Sequence, residues 1–190
     1  KYNWKNWAYF SHKILRNFVM KLNKFFKNLD KNFINTNFNG FEFDSNKIKK
    51  NNIFFAIKGS KFDGNKFINN AIKNGANVVV SNKFKTGIYE NVLFINVPDP
   101  RLTLSNFATK FYKLKPNNIV GVTGTNGKSS IADFYYQILN LNNFKVASIG
   151  TLGVNSNKVK VKLDNTTSDS ITINKILLKL KLKKIENVIL

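Results

Sequence analysis

The sequence predicts an α/β protein in two parts: a small N-terminal α/β domain, followed by the start of a doubly wound α/β domain. Two observations support this fold class. Short apolar runs typical of buried strands alternate with amphipathic helical stretches from residue 52 onward. In addition, a glycine-rich segment at 121–130 lies between a predicted strand and a predicted helix, as in a βαβ unit. We therefore place the two domains at 20–115 and 116–190.

The predicted N-terminal domain contains three strands and two helices. The strands are short apolar runs, at 52–57, 78–80 and 92–97. A helix is predicted at 67–74, because its apolar residues have helical spacing and Gly75 is a suitable C-cap. A second helix is predicted at 102–114, where apolar residues recur at helical spacing and Pro116 follows.

The second domain begins with a βαβ unit. Its predicted elements are a strand at 119–123, a helix at 131–141 and a strand at 144–149. A helix at 171–182 and a strand at 187–190 come next. A doubly wound sheet needs more strands than these, so we expect this domain to be cut short.

The composition excludes several classes of functional site. The 190 residues contain no Cys, which excludes disulfides, Cys-ligated metals and a thiol nucleophile, and a single His, His12, which excludes a multi-His metal site. Hydrophobic residues make up 43%, enough for buried cores, and no apolar run reaches the ~18–20 residues of a membrane span. We expect a soluble, cytoplasmic protein that is a monomer.

The formal charge of +21 first suggests nucleic-acid binding. However, only two of the 31 basic residues are arginines, Arg16 and Arg101, and the lysines are spread along the whole chain. Lys, Asn, Ile and Phe all have AT-rich codons, so a base bias of the genome explains the charge without a partner. We therefore expect no nucleic-acid partner; an affinity for DNA or RNA that falls steeply with salt would restore that alternative.

Residues 1–19 differ in composition from the rest of the chain. They contain both Trp residues and the single His, and they precede the sole Met, Met20. They lack the continuous apolar core and the small-residue cleavage site of a signal peptide. We expect translation to start at Met20, which makes residues 1–19 a leader or an upstream extension.

The segment Gly121-Val122-Thr123-Gly124-Thr125-Asn126-Gly127-Lys128-Ser129-Ser130 predicts a phosphate-binding loop. Glycines let backbone N–H groups turn toward phosphate oxygens, and the N-terminus of the following helix favours anions. Lys128 would reach the β- and γ-phosphates, and the Ser129 hydroxyl would ligate Mg²⁺. The general P-loop pattern has glycine where this chain has Val122, so a chance glycine-rich turn remains the alternative from the pattern alone.

This form of the loop resembles the ATP loop of the Mur ligases, the cytoplasmic ATP-dependent amide ligases that build the peptide of peptidoglycan. It is most similar to the members that add the third amino acid to UDP-N-acetylmuramoyl-L-alanyl-D-glutamate (MurE type). The resemblance implies a P-loop central ATPase domain, ATP and Mg²⁺ as cofactors, and Lys128 as a catalytic residue. The implied ATP-binding residues are Gly124, Thr125, Asn126, Gly127, Lys128, Ser129 and Ser130, with Ser129 also at the metal.

The segments before the loop resemble the uridine-nucleotide-binding N-terminal domain of the same family. The matching segments are Phe43-Asp44-Ser45, NIFFAIKG at 52–59 and Phe62-Asp63-Gly64. The resemblance implies that Phe43 and Ser45 lie at the uracil of a UDP-sugar. It also implies that Ser60, Lys61 and Phe62 lie along the nucleotide. The chain departs from the family pattern at Asn46, which replaces an arginine, and at Lys50-Asn51-Asn52, which replaces Pro-Gly-Asp.

Two segments after the loop also resemble the MurE-type ligases. They are Ile149-Gly150-Thr151-Leu152-Gly153 and Asn165-Thr166-Thr167. By resemblance, Asn165, Thr166 and Thr167 contact the muramoyl-peptide part of the substrate, which suits their hydroxyl and amide groups. Without the resemblance, the second segment is interpreted as a plain polar turn.

The resemblance also implies a reaction and its partners. ATP phosphorylates the free carboxylate of the UDP-N-acetylmuramoyl-dipeptide, and the amine of an amino acid, meso-diaminopimelate or lysine, attacks the acyl phosphate. The family's magnesium-binding Glu, its His-bearing segment, its modified Lys and its C-terminal domain have no counterpart in these 190 residues. We therefore expect an N-terminal fragment that is inactive alone.

Two other functions remain open at this point. The first is the sister ligase that adds the terminal dipeptide (MurF type), although the pair Thr125-Asn126 and the segment at 165–167 count against it. The second is a non-catalytic nucleotide-sugar-binding module, which a stop codon directly after Leu190 would favour.

Overall fold

The computed structural model describes residues 20–26, 29–60, 62–150, 153–157, 159 and 169–190. The chain divides into two compact units between Leu104 and Ser105, and each unit has its own sheet, which is parallel except for one edge strand. Within the described residues, no helix combines the length and the hydropathy that a membrane span requires.

The first unit is built on a five-stranded sheet, preceded by a short antiparallel ribbon. The ribbon pairs β1 (Met20–Lys21) with β2 (Asn37–Phe38). The sheet contains β3 (Gly40–Glu42), β4 (Asn52–Phe55), β5 (Ala76–Ser81), β6 (Gly87–Tyr89) and β7 (Val92–Asn96), in the order β3-β4-β5-β7-β6. The first four strands in that order are parallel, whereas β6 pairs antiparallel with β7.

Short helical segments connect the strands of the first unit, and one longer helix follows its last strand, β7, and crosses the boundary between the units. They are 3₁₀ turns at Leu22–Lys24, Ser45–Lys47 and Gly64–Phe67, and the helices α1 (Ile68–Lys73) and α2 (Pro100–Phe111). α1 packs Ile68 and Ala71 into a buried core with Phe54 of β4 and Val79 of β5. β4 and β5 are apolar along most of their length and buried, as expected for parallel strands covered on both faces.

The second unit is a four-stranded sheet with two helices. Its elements are β8 (Asn118–Val120), α3 (Lys128–Leu141), β9 (Val146–Gly150), β10 (Gly153–Asn155), α4 (Ser170–Leu182) and β11 (Asn187–Ile189). The strand order is β10-β9-β11-β8, with β9, β11 and β8 parallel and β10 antiparallel to β9. Leu180 of α4 packs with Ala147 and Val188 in the buried core.

The predicted α/β fold class is confirmed, and every predicted strand and helix is present with ends shifted by a few residues. α2 shows why ends shift. It begins at Pro100, because the Asp99 carboxylate accepts hydrogen bonds from the backbone N–H groups of Arg101 (2.8 Å) and Leu102 (3.0 Å). An aspartate followed by proline is an N-cap and first-position pattern. The helix ends at Phe111, which leaves Leu114 outside it and exposed.

The strands that the sequence analysis does not predict are short. β3, β6 and β10 are sheet edges of three residues each, and β1 and β2 have two residues each. Segments of this length carry too few side chains to show an alternating or continuous apolar pattern. Of the strands that precede the loops described next, β4 and β8 follow the prediction, whereas β3 was not predicted.

Candidate functional site

The glycine-rich loop 121–127 leaves the carboxyl end of β8 and leads directly into α3. Its first residues continue the pairing of β8 with β11. The Leu190 N–H donates to the Val120 carbonyl (2.9 Å), and the Val122 N–H donates to the Leu190 carbonyl (2.7 Å). The loop therefore starts at the carboxyl edge of parallel strands, which is where open α/β sheets bind ligands.

Two glycines give this loop its shape. Gly124 has φ of +150° and Gly127 has φ of +78°, in the region that L side chains rarely adopt. A Cβ added at Gly127 would meet nothing within 4 Å, so its backbone conformation, and not a lack of space, favours glycine there. Gly127 is also the N-cap of α3, and it supplies no side-chain cap. The first-turn N–H groups of α3 therefore remain open to an anion.

Lys128 is the first residue of α3, and its ammonium group turns back onto the loop. It donates to the carbonyl of Thr125 (3.1 Å) and to the carbonyl of Gly124. The side chains of Ser129 and Ser130 follow it in the exposed first turn of the helix. The loop residues predicted for ATP, 124–130, thus form one continuous exposed feature.

The loop suits the phosphates of a nucleotide. It offers an open glycine backbone, an uncapped helix N-terminus and one ammonium group. For Mg²⁺, the Ser129 hydroxyl is one suitable oxygen, and no group of three or more acidic, His or Cys residues forms a metal cluster within the described part of the chain. Mg²⁺ usually takes one or two protein oxygens plus phosphate and water oxygens, so Ser129 fits such a site without completing it.

The predicted uridine-site residues follow two neighbouring strands of the first sheet. β3 and β4 are parallel, so Phe43 and Ser45, after β3, and Ser60 and Phe62, after β4, lie at the same carboxyl edge. The Phe62 ring is 71% exposed and the Phe43 ring 36% exposed, whereas Ser45 is only 6% exposed. This edge therefore presents two accessible aromatic rings and a turn whose serine is almost buried.

The segment 58–63 after β4 is held at both ends. Lys58 and Asp63 form an isolated antiparallel β-bridge, and the Arg101 guanidinium donates to the Lys58 carbonyl (3.2 Å). The Gly64 N–H donates to the Ile57 carbonyl (2.9 Å), and a Cβ on Gly64 would lie 2.6 Å from the Ile57 nitrogen. Glycine is therefore required at 64 because the backbone approaches so closely.

The Asp63 carboxylate connects this segment to the end of β5. It accepts from the Lys83 ammonium (2.9 Å) and from the backbone (3.0 Å) and side chain (2.8 Å) of Asn65. The hydrogen bond from Lys83, followed by those from Asn65, holds the pKa of Asp63 well below its usual range. Asn65 in turn accepts from the Ser81 hydroxyl (2.8 Å).

The sequence analysis missed four side chains that hold these loops. Two are Lys83 and Arg101; the others are Asn70 and Asn74, which donate to the hydroxyl oxygen and to the carbonyl of Ser45 (2.9 Å each). Arg101 carried a usable signal, because it is one of two arginines in the chain and directly precedes the helix predicted at 102–114, after a predicted strand. Lys and Asn are so abundant in this chain that nothing in the sequence distinguishes the other three residues from the rest. Four predicted contact residues lie outside the described residues, and their roles stay predictions: Lys61, Asn165, Thr166 and Thr167.

Solved structures show that this fold recurs in known ligases. A structure of a UDP-N-acetylmuramoyl-L-alanyl-D-glutamate–2,6-diaminopimelate ligase matches with a TM-score of 0.72 and 24% identity, over 90% of this chain and 35% of that chain. A crystal structure of MurF from Acinetobacter baumannii matches with a TM-score of 0.51 and 19% identity, over 82% of this chain and 30% of that chain. At these identities the likeness concerns the fold alone.

Curated relatives are more similar in sequence. The UDP-N-acetylmuramoyl-L-alanyl-D-glutamate–2,6-diaminopimelate ligase of Clostridium tetani is 39% identical over 168 residues, which are 83% of this chain and 34% of that ligase. The ligase of the same name from Rickettsia typhi is 40% identical over 127 residues, covering 67% of this chain and 25% of that ligase. The chain thus spans about a third or less of the length of these relatives.

Two family models match the chain in sequence order. The model described as "Mur ligase family, catalytic domain" matches residues 37–112, which include the strands β3 to β7. The model described as "Mur ligase middle domain" matches residues 122–190, from the glycine-rich loop to the end of β11. Since both models and the relatives near 40% identity agree with the sheets and the loop described above, the chain belongs to the Mur ligase family.

Proposed function

We propose that this chain carries the UDP-sugar-binding and ATP-binding regions of an ATP-dependent amide ligase of peptidoglycan synthesis. The enzyme would add the third amino acid to UDP-N-acetylmuramoyl-L-alanyl-D-glutamate. The observation that carries the proposal is the glycine loop 121–127 with Lys128 at a helix N-terminus, within the part that matches the Mur ligase middle domain. The relatives named above support meso-diaminopimelate as the amino acid, with lysine as the other candidate.

The proposal concerns a protein of the relatives' length, because this chain spans about a third of them. We assign residues 20–115 to the UDP-binding region, 116–190 to the ATP-binding region and 1–19 to a leader or an upstream extension. The family-model matches at 37–112 and 122–190 support this boundary, whereas the compact units divide earlier, within α2. We also propose a cytoplasmic monomer, in keeping with what the family resemblance implies.

Residues 124–130 would bind ATP and neutralise the phosphoryl group in transfer. When bound, ATP supplies the phosphoryl group that converts the substrate carboxylate into an acyl phosphate, which the amine then attacks with release of phosphate. Backbone N–H groups at Gly127 and in the first turn of α3 would hold phosphate oxygens. Lys128 would add a positive charge, and the Ser129 hydroxyl would be a ligand for Mg²⁺. The protein's contribution is therefore positioning and charge.

The carboxyl edge of the first sheet would hold the UDP part of the substrate. Phe43 and Phe62 present exposed rings there, and aromatic rings can stack on a base. Ser45 supplies a hydroxyl at the uracil, and Ser60 and Lys61 would lie along the nucleotide. Asn165, Thr166 and Thr167 would contact the muramoyl-peptide part.

The test removes the loop ammonium group. In the full-length protein, Lys128→Ala should abolish release of phosphate that depends on UDP-N-acetylmuramoyl-L-alanyl-D-glutamate and an amino acid, while leaving UDP-sugar affinity nearly unchanged. Lys113→Ala is the matched control, because Lys113 is exposed and lies outside the loop. Turnover of Lys128→Ala equal to that of the control would overturn the proposal.

The same assay distinguishes the sister ligase. Turnover with meso-diaminopimelate or lysine on the dipeptide substrate supports the function proposed here. If turnover instead requires the tripeptide substrate and D-alanyl-D-alanine, the proposed substrates are wrong and the enzyme adds the terminal dipeptide.

A further inference from the structure

The turn that carries Ser45 is held by Asn70 of the neighbouring helix α1 and by Asn74, the C-cap residue of that helix. Ser45 begins the 3₁₀ turn Ser45–Lys47, just after β3, and is 6% exposed. The Asn70 side-chain nitrogen donates to the Ser45 hydroxyl oxygen (2.9 Å), and the Asn74 side-chain nitrogen donates to the Ser45 carbonyl (2.9 Å). The hydroxyl and the backbone of one residue are therefore fixed by side chains one helical turn apart.

α1 can hold this turn because it has two faces. Ile68 and Ala71 pack into the core below, and Ile72 packs against the same core. Asn70 and Asn74 reach the turn instead, and Asn70 also donates to the Asn46 side-chain oxygen (3.2 Å). Core packing of α1 thus fixes the place from which the two amide groups act.

The hydrogen bond from Asn70 determines what Ser45 can do. An amide nitrogen can only donate, so the Ser45 oxygen accepts that bond and its own hydrogen must point elsewhere. Among the described residues, the Ser45 hydroxyl accepts this hydrogen bond and donates none. The Ser45 hydroxyl is therefore left as a donor at the carboxyl edge of the sheet.

We propose that Asn70 is a positioning residue that makes Ser45 a hydrogen-bond donor to a carbonyl oxygen of the bound base. This inference rests on the proposed function, in which Ser45 lies at the uracil, and names the residue that sets the direction of its hydrogen bond. Uracil presents two carbonyl oxygens, which suit a donor. Asn74 keeps the backbone of the turn in place while Asn70 orients the hydroxyl.

The test reverses the hydrogen bond without removing the side chain. Asn70→Asp replaces the donating amide with an acceptor, so Ser45 must now donate to residue 70 and loses its free hydrogen. We expect the affinity for UDP, measured by calorimetry on the 190-residue chain, to fall about tenfold or more. Asn69→Asp is the matched control: it adds the same charge on the same helix at an exposed position, and should leave the affinity within about twofold.

A double-mutant cycle with Ser45→Ala separates positioning from a general structural role. If Asn70 acts through Ser45, Asn70→Asp should add no further loss of UDP affinity in the Ser45→Ala background. A loss that persists in that background would overturn the inference. If Asn70→Asp prevents folding, as judged by circular dichroism, the same cycle with Asn70→Ala decides, with an expected loss of about 2- to 10-fold in the wild-type background.

The outcomes keep the two proposals distinct. If the wild-type chain binds UDP and Asn70→Asp binds it as tightly as Asn69→Asp does, the inference fails and the proposed function stands. If the wild-type chain does not bind UDP, the proposed uridine site fails, and the inference fails with it.

Discussion

The loops at the carboxyl edges of the two sheets are held in place by different means. In the first unit, side chains hold the loops: Lys83, Arg101 and Asn70 each hydrogen-bond to a loop residue from another part of the chain. In the second unit, the loop depends on the backbone conformations of Gly124 and Gly127. Among the described residues, Lys128 supplies the hydrogen bonds from a side chain to that loop.

The difference determines how each loop responds to change. Side-chain contacts can be removed one at a time, so the first unit's loops should respond to single substitutions. The contact between Lys83 and Asp63 also depends on ionisation, so the segment that Asp63 ends should respond to pH as well. A loop shaped by glycines should respond instead to an added Cβ. The two proposed nucleotide sites should therefore be sensitive to different substitutions.

The two units also differ in how their apolar residues are covered. β4, β5 and β7 of the first sheet are largely buried, whereas β8 of the second is exposed along its length. α3 has no fully buried residue, and the apolar face that predicts it as a helix is exposed at Ile131, Phe134, Ile138 and Leu141. A helical spacing of apolar residues thus predicts a helix correctly, but it does not show whether those apolar side chains are buried.

The largest expected effect tests this difference between the units. Phe54→Ala removes a ring that is 0% exposed and should lower the free energy of unfolding by about 3–5 kcal/mol. Phe134→Ala makes the same change at a ring that is 61% exposed, and should change it by about 0.5 kcal/mol or less. Urea denaturation measures both, and hydrogen exchange shows which sheet has opened. An equal loss of unfolding free energy in the two variants would contradict the difference in burial between the two units.

A second pair tests the difference within the second unit. Leu180→Ala, on α4, removes a side chain that is 0% exposed and should destabilise that unit by about 2–5 kcal/mol. Leu141→Ala, on α3, removes one that is 79% exposed and should cost about 0.5 kcal/mol or less. Hydrogen exchange in β9 and β11 gives the measurement. A larger loss from Leu141→Ala would mean that α3, and not α4, carries the stability of this sheet.

The sequence predicted the parts of the fold that depend on local pattern. The central strands were found because each is a continuous apolar run, and the loop 121–127 because its glycines, Lys128 and the following helix are adjacent in sequence. The contacts that hold the first unit's loops could not be found in this way. Asn70 and Ser45 are 25 positions apart, and Lys58 and Arg101 are 43 apart. Such pairs meet because of the strand order, which no local pattern specifies.

A smaller effect tests the backbone-held loop. Gly127→Ala places a Cβ on a residue with φ of +78°, which costs about 1–2 kcal/mol and should lower ATP affinity by about 5- to 30-fold. Gly121→Ala is the matched control, because its Cβ would meet nothing within 4 Å and its φ is not positive. Calorimetry with ATP on the 190-residue chain compares them. Equal affinities would show that the loop tolerates a Cβ and that its shape does not depend on glycine.

The smallest expected effect tests the side-chain-held loop through pH. Lys83 holds the pKa of Asp63 below its ordinary value of 3.8. A carboxylate with a lowered pKa stabilises the folded state fully above its unfolded-state value, and this stabilisation is lost as the pH falls through the folded-state value. The stability difference between wild type and Asp63→Asn should therefore be constant above about pH 5 and shrink below about pH 4. Urea denaturation across this range measures it.

A second carboxylate shows whether this effect belongs to the loop. Lys181 likewise lowers the pKa of Glu186, but Glu186 directly precedes β11 and so lies at the amino edge, opposite the loop 121–127. Glu186→Gln should show the same direction of pH dependence without changing ATP affinity, whereas Asp63→Asn should also weaken UDP binding, because Asp63 ends the segment 58–63. If both variants leave nucleotide affinity unchanged, the bond between Asp63 and Lys83 stabilises the sheet and does not position the loop.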